Sequence, residues 1–152
     1  RPAFKETRLQ FDRSYEPVVA GKKLIVGSSR EDCLIAFDTD TGAEVWEQHI
    51  EWVDAEFSKL TGRANPTRLS ILRASLLKAD GAVLCLGETG SLHWLKLTPQ
   101  GCEELTRTQL FYALNTWSLP ALSHGLLYVH QQAESLDRKS GTRVICYDLR
   151  SE

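Results

Sequence analysis

Short apolar runs alternate with turn-forming residues along the stretch from Pro17 to Trp46. Clusters of Gly, Asp, Ser and Thr separate these runs from one another. Short runs of apolar and β-branched residues between such clusters are typical of antiparallel hairpins. The pattern therefore predicts four short strands, which centre on Val18-Val19, Leu24-Ile25-Val26, Leu34-Ile35-Ala36-Phe37 and Glu44-Val45-Trp46.

The same unit of apolar run, turn glycine and apolar run occurs three times in the chain. Its turn glycines are Gly21, Gly81 and Gly125. The interval from Gly81 to Gly125 is close to the length of a four-stranded propeller blade, about 40 to 50 residues. One such sheet cannot bury both of its faces, so stacked sheets explain strands that are apolar on both sides. We therefore predict an all-β fold of propeller-type blades, each with four antiparallel strands, in about three repeats that cover 15–50, 70–111 and 117–152. Three repeats would form an incomplete or partial ring, because even the smallest propellers have about four blades.

Two segments depart from this unit. Residues 51–69 interrupt the repeats, and the spacing of their apolar side chains predicts a short amphipathic helix that ends at Gly62. Those side chains are Trp52, Val53, Phe57 and Leu60. The opening segment 1–11 alternates apolar and polar residues with a period near two, so we expect it to supply the missing outer strand of the third repeat.

The composition fits a single domain over residues 1–152. The 152 residues are 42% hydrophobic and 25% charged, with a formal net charge of −2. Acidic and basic residues are interspersed, which argues against a nucleic-acid partner because such proteins carry a basic patch. No run of about 18 apolar residues occurs, so we expect no membrane span. The chain lacks Met and opens on Arg1 without a signal peptide, so we expect it to be processed or part of a longer protein.

The four cysteines show no metal-binding pattern. None lies in a Cys-x-x-Cys pair or near a His at metal-ligand spacing, so we expect small buried side chains. An oxidising compartment would permit a Cys33–Cys85 or a Cys102–Cys146 disulfide, and the sequence leaves the pairing open.

The turn after the third strand resembles the repeat of a known family. Asp38-x-x-Thr41-Gly42 followed by Val45-Trp46 is similar to the repeat of quinoprotein-like (pyrroloquinoline-quinone-type) propellers. The likeness is greatest to secreted or periplasmic propeller proteins of planctomycete-like bacteria. The resemblance implies a periplasmic or secreted location. It also implies a structural blade signature of Asp38, Thr41, Gly42 and Trp46, in which Trp46 packs between blades.

The cofactor of the family does not follow from the resemblance. Quinoprotein dehydrogenases hold the quinone with a vicinal disulfide, a stacking Trp and a metal ion, and no two cysteines are adjacent here. We expect Trp94 and Trp117 to pack as buried aromatic side chains rather than to stack on a quinone. No cofactor is therefore expected, and pyrroloquinoline quinone is retained only within the alternative function.

The titratable residues form no catalytic or metal-binding motif along the sequence. No two histidines have the i, i+4 spacing of a helical zinc site, and Gly-x-Ser-x-Gly does not occur. A Ser or Cys nucleophile with distant His and Asp partners stays open, because such partners meet only in space. Asp38-x-Asp40-x-Gly42 has the spacing of a calcium loop, but its twelfth position is His49 instead of Glu, so a hairpin turn is preferred.

These features favour a non-catalytic binding or scaffold module outside the cytoplasm, with a protein or saccharide partner. The insertion interrupts the repeat pattern, so its Trp52, Asp54 and Phe57 are the candidates for surface binding. Open sheet edges would also allow self-association. The alternative is a quinone- or metal-dependent dehydrogenase, or a fragment of one.

Overall fold

The computed structural model describes residues 16–28 and 32–150. Its strands form three antiparallel sheets that follow one another along the chain, with a small two-stranded sheet inserted between the first and the second. The runs Leu24–Val26, Val83–Leu86 and Leu126–Val129 lie in separate sheets. The predicted all-β, propeller-type architecture is confirmed.

The first sheet has four strands in chain order. They are β1 (Val18–Ala20), β2 (Leu24–Ser28), β3 (Cys33–Asp38) and β4 (Glu44–His49). The inner strands β2 and β3 are almost wholly buried, whereas β4 is largely exposed and β1 is mixed, with one buried and one exposed residue. The four predicted strands are therefore present, and the two most apolar ones occupy the centre of the sheet.

The insertion contains a β-hairpin around a short helix. It comprises β5 (Glu51–Asp54), α1 (Ala55–Leu60) and β6 (Thr67–Ser70), and β5 pairs with β6. The prediction that Trp52 and Val53 belong to the helix is wrong. Their side chains are 8% and 64% exposed, which is the inside–outside alternation of a strand with one buried face.

Capping at both ends confines α1 to six residues. Asp54 precedes the helix, and its Oδ1 accepts a hydrogen bond of 2.8 Å from the backbone nitrogen of Phe57. This is the contact by which an N-cap carboxylate satisfies an otherwise unpaired N–H. Thr61 caps the carboxyl end, and Gly62 follows with a φ of +70°, a conformation that favours glycine.

The second sheet has the same topology, with four strands that neighbour one another in chain order. They are β7 (Ala74–Ala79), β8 (Ala82–Gly87), β9 (Ser91–Thr98) and β10 (Gly101–Gln109). The outer strand β10 is largely exposed. A shift of register between Glu104 and Thr106 marks an irregularity within this strand.

The third sheet has three strands among the described residues. They are β11 (Ala121–Ser123), β12 (Leu126–Gln131) and β13 (Arg143–Asp148), with β12 in the centre. A polar loop joins β12 to β13, as its composition predicts. The prediction that segment 1–11 adds an outer strand to this sheet lies outside the described residues.

Two apolar clusters join neighbouring sheets. The first contains Val26 and Leu34 of the first sheet together with Cys85 of β8. The second contains Leu84 of β8 and Leu127 of β12. Adjacent residues of β8 thus point into different clusters, because side chains alternate across a strand. The inner strand β8 is therefore buried on both faces, which explains why it is apolar throughout.

Gly90, in the turn between β8 and β9, lies against the segment that leaves the second sheet. Its φ is +87°, and an added Cβ would lie 2.5 Å from both the ring and the carbonyl oxygen of Phe111. Its own carbonyl accepts a hydrogen bond of 3.0 Å from the backbone nitrogen of Leu110. The close approach of two backbones therefore requires glycine at this position.

Candidate functional site

Three residues of the blade signature, Asp38, Thr41 and Gly42, form a tight turn between β3 and β4. The turn satisfies the hydrogen bonds of the Asp38 carboxylate from within itself. Asp38 Oδ1 accepts hydrogen bonds from the backbone nitrogens of Asp40 and Thr41, at 3.0 and 2.8 Å, and from Thr41 Oγ1 at 2.9 Å. The bonds from Thr41 hold the pKa of Asp38 below its ordinary value. Gly42 completes the turn with a φ of +72°. This carboxylate is engaged by its own turn, the arrangement of an Asx-type hairpin turn.

Two side chains of β4 reach from the first sheet to the second. Trp46 Nε1 donates a hydrogen bond of 2.9 Å to the carbonyl oxygen of Thr98 at the end of β9. The amide of Gln48 pairs with the backbone of Cys102 in β10, donating to its carbonyl and accepting from its N–H, both at 2.8 Å. Trp46 and Gln48 share one face of β4, and together they connect the two blades.

The insertion does not present Trp52 and Phe57 as an exposed binding edge. Each is 8% exposed and belongs to the first apolar cluster, so the expectation of surface aromatic side chains here is wrong. Asp54 is engaged as well, since both of its carboxylate oxygens accept from the hydroxyl of Tyr112, at 3.0 and 3.1 Å. Burial and this contact raise the pKa of Tyr112 to about 12. The three residues attach the insertion to the body of the protein.

A chain of hydrogen bonds joins the buried Ser91 and His93 to Glu104, whose side chain is 30% exposed. His93 Nδ1 lies 3.0 Å from Glu104 Oε2, and its Nε2 lies 3.0 Å from Ser91 Oγ. Because a carboxylate only accepts, Nδ1 carries the proton and donates it to Glu104, and Nε2 accepts from the serine hydroxyl. The sequence leaves such a grouping open, because its members lie on two different strands, β9 and β10.

This grouping has the order of a nucleophile, base and carboxylate but lacks access for a substrate. Ser91 and His93 are both fully buried. The rings of Trp52 and His93 meet edge-on, with 5.0 Å between their centroids, and the guanidinium of Arg107 lies over the ring of Trp52. A nucleophile must contact its substrate, so this arrangement serves to satisfy a buried imidazole.

All four cysteines are thiols, in surroundings that differ along the chain. Cys33 and Cys85 are buried, Cys102 is half-buried and Cys146 is exposed. Burial raises the pKa of the Cys85 thiol, and it raises that of Cys102 to about 11. Such thiols are poor nucleophiles at neutral pH. The expectation of small buried side chains therefore holds for Cys33 and Cys85 but is wrong for Cys146.

The segment between the second and third sheets exposes three large apolar side chains. Leu114, Trp117 and Leu119 are 46%, 44% and 48% exposed, and we refer to them as the Trp117 surface. The expectation that Trp117 is a buried aromatic side chain is wrong. A local signal was present in the sequence, because polar residues and a proline flank this Trp instead of an apolar run.

Hydrogen bonds fix the Trp117 surface to both neighbouring sheets. Trp117 Nε1 donates a hydrogen bond of 3.1 Å to Oε1 of Glu88, which lies in the turn after β8. The backbone nitrogens of Trp117 and Ser118 both donate to Gln132 Oε1, just beyond β12. Ser118 Oγ lies 3.2 Å from His130 Nδ1. The segment is therefore held in one conformation although its apolar side chains face solvent.

A cleft of about 300 Å³ lies between the second and third sheets. Aliphatic side chains provide much of its lining. Two lining residues are joined by a hydrogen bond of 3.3 Å, which the hydroxyl of Tyr147 donates to the carbonyl oxygen of Leu110. The lining residues are Leu92, Thr108, Gln109, Leu110, Leu127, Tyr147, Asp148 and Leu149. This lining contains neither a thiol nor an imidazole.

Stacked antiparallel sheets with these connections define the class of the protein, which has a β-propeller-type fold. Solved structures with similar coordinates include BamB from Moraxella catarrhalis, at 15% identity and a TM-score of 0.47, over 90% of this chain and 33% of that one. The computationally designed Ika4 protein is 12% identical, with a TM-score of 0.48, over 92% of this chain and 68% of that one. The chain thus spans about a third of the BamB structure.

No family model matches the sequence, and no curated protein matches it. In the part of the chain that the structure describes, no helix has the length and hydropathy needed to cross a bilayer.

Proposed function

We propose that the chain is a non-catalytic, propeller-type binding module that docks a protein partner on the Trp117 surface. The observation that carries the proposal is the combination of exposure and rigidity at Trp117. Its side chain is 44% exposed, while its indole and backbone nitrogens are both held by hydrogen bonds. Exposed apolar patches of this kind mark interaction sites.

The energetics of association favour such a surface. Trp is enriched among the residues that contribute most to binding between proteins. Binding also costs free energy when loops and side chains become ordered. Because Glu88 and Gln132 already hold this segment in place, much of that cost is absent when a partner binds.

The chemistry of the surface favours a protein over a saccharide. A saccharide site combines an aromatic ring with polar groups that are directed at sugar hydroxyls. Here Glu88 Oε1 and Gln132 Oε1 already accept hydrogen bonds from the segment itself. Two exposed leucines lie within three residues of Trp117 along the chain, and an apolar segment of this kind suits the centre of a protein interface.

The proposal includes a location outside the cytoplasm and an origin from quinoprotein-like repeats. The Asp38 turn and the position of Trp46 between two sheets support this origin, because they match the roles that the resemblance assigns. No cofactor is part of the proposal.

Selection of peptides from a random displayed library against the full chain tests the proposal. We expect the selected peptides to bind the Trp117 surface, because rigid apolar patches are the preferred contact sites of proteins. Trp117→Ala should then weaken binding by about 30-fold, which corresponds to about 2 kcal/mol. Fluorescence anisotropy of labelled peptides measures this change.

Val53→Ala is the matched control, since Val53 is 64% exposed on the insertion, away from the Trp117 surface. It should leave peptide binding unchanged. A panel of immobilised glycans, probed with the same variants, covers the saccharide alternative. Peptides that bind the Trp117→Ala variant as well as the parent chain would overturn the proposal, and so would Trp117-dependent binding of glycans.

A further inference from the structure

We propose that Cys33, Glu47 and His49 form a binding site for a divalent metal ion of the zinc class. The site lies on the first sheet, apart from the Trp117 surface, and does not depend on the proposed function. The three side chains offer a thiol sulfur, a carboxylate oxygen and an imidazole nitrogen. These are the ligand types that proteins use for zinc.

Strand pairing brings the three residues together. Cys33 in β3 lies directly opposite His49 in β4, so their side chains leave the same face of the sheet side by side. Glu47 precedes His49 by two residues and shares that face, because side chains alternate along a strand. Two rigid, adjacent strands therefore present all three ligands to one point.

The ligand atoms are close enough for one ion. His49 Nε2 lies 3.6 Å from Glu47 Oε1, and all three ligand atoms lie within 4.8 Å of one another. Zinc bonds of about 2.0 to 2.3 Å in tetrahedral geometry place neighbouring ligand atoms about 3.4 to 3.8 Å apart. Movements of about 1 Å would complete the coordination, and rotation of the exposed Glu47 and His49 side chains can provide them.

The three ligand residues differ in solvent exposure, and the difference would let an ion reach the site. Cys33 is fully buried, whereas the side chains of Glu47 and His49 are 38% and 51% exposed. An ion can therefore enter from solvent and contact a sulfur at the base of the site. Three protein ligands leave a fourth tetrahedral position on the exposed side, where water would bind.

The ligand set separates this ion from other divalent cations. Mg²⁺ and Ca²⁺ are hard ions that take oxygen ligands, and they bind thiols and imidazoles poorly. Zn²⁺, together with Co²⁺ as its spectroscopic substitute, accepts sulfur, nitrogen and oxygen in one site. We therefore expect the site to bind Zn²⁺ and Co²⁺ and to leave Mg²⁺ and Ca²⁺ unbound.

Titration of the full, reduced chain with Co²⁺ tests the site. We expect one equivalent to bind, with an absorption band from thiolate-to-cobalt charge transfer and with the intense visible bands of tetrahedral cobalt. One equivalent of Zn²⁺ should abolish both features, and excess Mg²⁺ should leave them unchanged. Absence of a sulfur-dependent band at saturating Co²⁺ would overturn the proposal.

Variants of the exposed ligands keep the test independent of folding. His49→Ala and Glu47→Gln should each weaken Co²⁺ binding by about tenfold or more, because each removes or neutralises one ligand. Glu44→Gln on the same strand and Cys146→Ser in the third sheet are the matched controls, and they should bind as the parent chain does. Loss of the charge-transfer band in Cys146→Ser, or full affinity in His49→Ala, would contradict the assignment.

Discussion

The imidazole of His93 is fully buried, and its hydrogen bonds are satisfied by two partners. Burial lowers its pKa, and this effect outweighs the neighbouring carboxylate of Glu104, which raises it. The folded protein therefore holds His93 in its neutral form. In the unfolded chain the same group titrates near its ordinary value of about 6.5.

This difference predicts a loss of stability in mild acid. Because the unfolded state binds a proton on His93 more readily, the free energy of unfolding should fall as the pH drops below about 6.5, and the fall should level off below the folded-state pKa. His93→Gln should reduce this dependence. Urea unfolding followed by fluorescence at about pH 7.5 and about pH 5.5 measures it.

His124→Gln is the control for that experiment, since His124 lies in the exposed turn between β11 and β12. The control should show the same loss of stability as the parent chain. An undiminished loss in His93→Gln would show that other groups cause the acid sensitivity.

Single residues differ in how far the sequence reveals their roles. The contacts of Asp38 with Asp40 and Thr41 span two or three positions, so a local pattern could predict the turn. The contact of His93 with Glu104 depends on the pairing of β9 with β10, for which the sequence gives no register. The pair Cys33 and His49 was missed for the same reason.

Gln48 connects elements by imitating a backbone peptide group. Its side-chain amide donates to and accepts from Cys102, as a neighbouring strand would. The first and second sheets are separate hydrogen-bonded units, so this residue and Trp46 provide directional bonds where packing alone would not fix their relative position.

Gln48→Ala should lower the free energy of unfolding by about 1 to 3 kcal/mol. The substitution removes two hydrogen bonds and leaves the backbone groups of Cys102 to find other partners. Glu44→Ala, an exposed change on the same strand, should fall within about 0.5 kcal/mol of the parent chain. Chemical denaturation measures both changes. Equal stabilities for the two variants would show that Gln48 does not connect the sheets in the way described.

The insertion shows where periodicity fails as a guide to elements. Trp52, Val53, Phe57 and Leu60 fit a helical spacing, yet the first two lie in β5. Over so short a segment the spacing suits a strand followed by a helix as well as it suits a continuous helix. The pairing of β5 with β6 decides between them, and that contact is distant in sequence.

At the scale of the whole molecule, stability is distributed between neighbouring sheets. One cluster joins the first sheet, the insertion and the second sheet, and the other joins the second and the third. Proteins built in this way have stabilities that sum contributions from each unit and each interface. The repeats in the sequence predict this arrangement because the central strands of the first two predicted sheets are apolar on both sides. Self-association through an open sheet edge stays a prediction.

Leu127→Ala should destabilise the third sheet selectively. Leu127 is fully buried in the second cluster, and such a substitution costs about 2 to 5 kcal/mol. Amide hydrogen exchange followed by mass spectrometry should therefore quicken in β11 to β13 and change little in β1 to β4. Val26→Ala, in the first cluster, should give the opposite distribution. Uniform acceleration in both variants would indicate a single cooperative unit.

The turn between β8 and β9 leaves no room for a side chain at Gly90. A methyl group on residue 90 would have to displace the aromatic ring and main chain of Phe111. That displacement would move the segment that joins the second sheet to the third. The third sheet would then lose part of its packing against the second. A single added methyl group at Gly90 would thus weaken the contact between the third sheet and the rest of the protein.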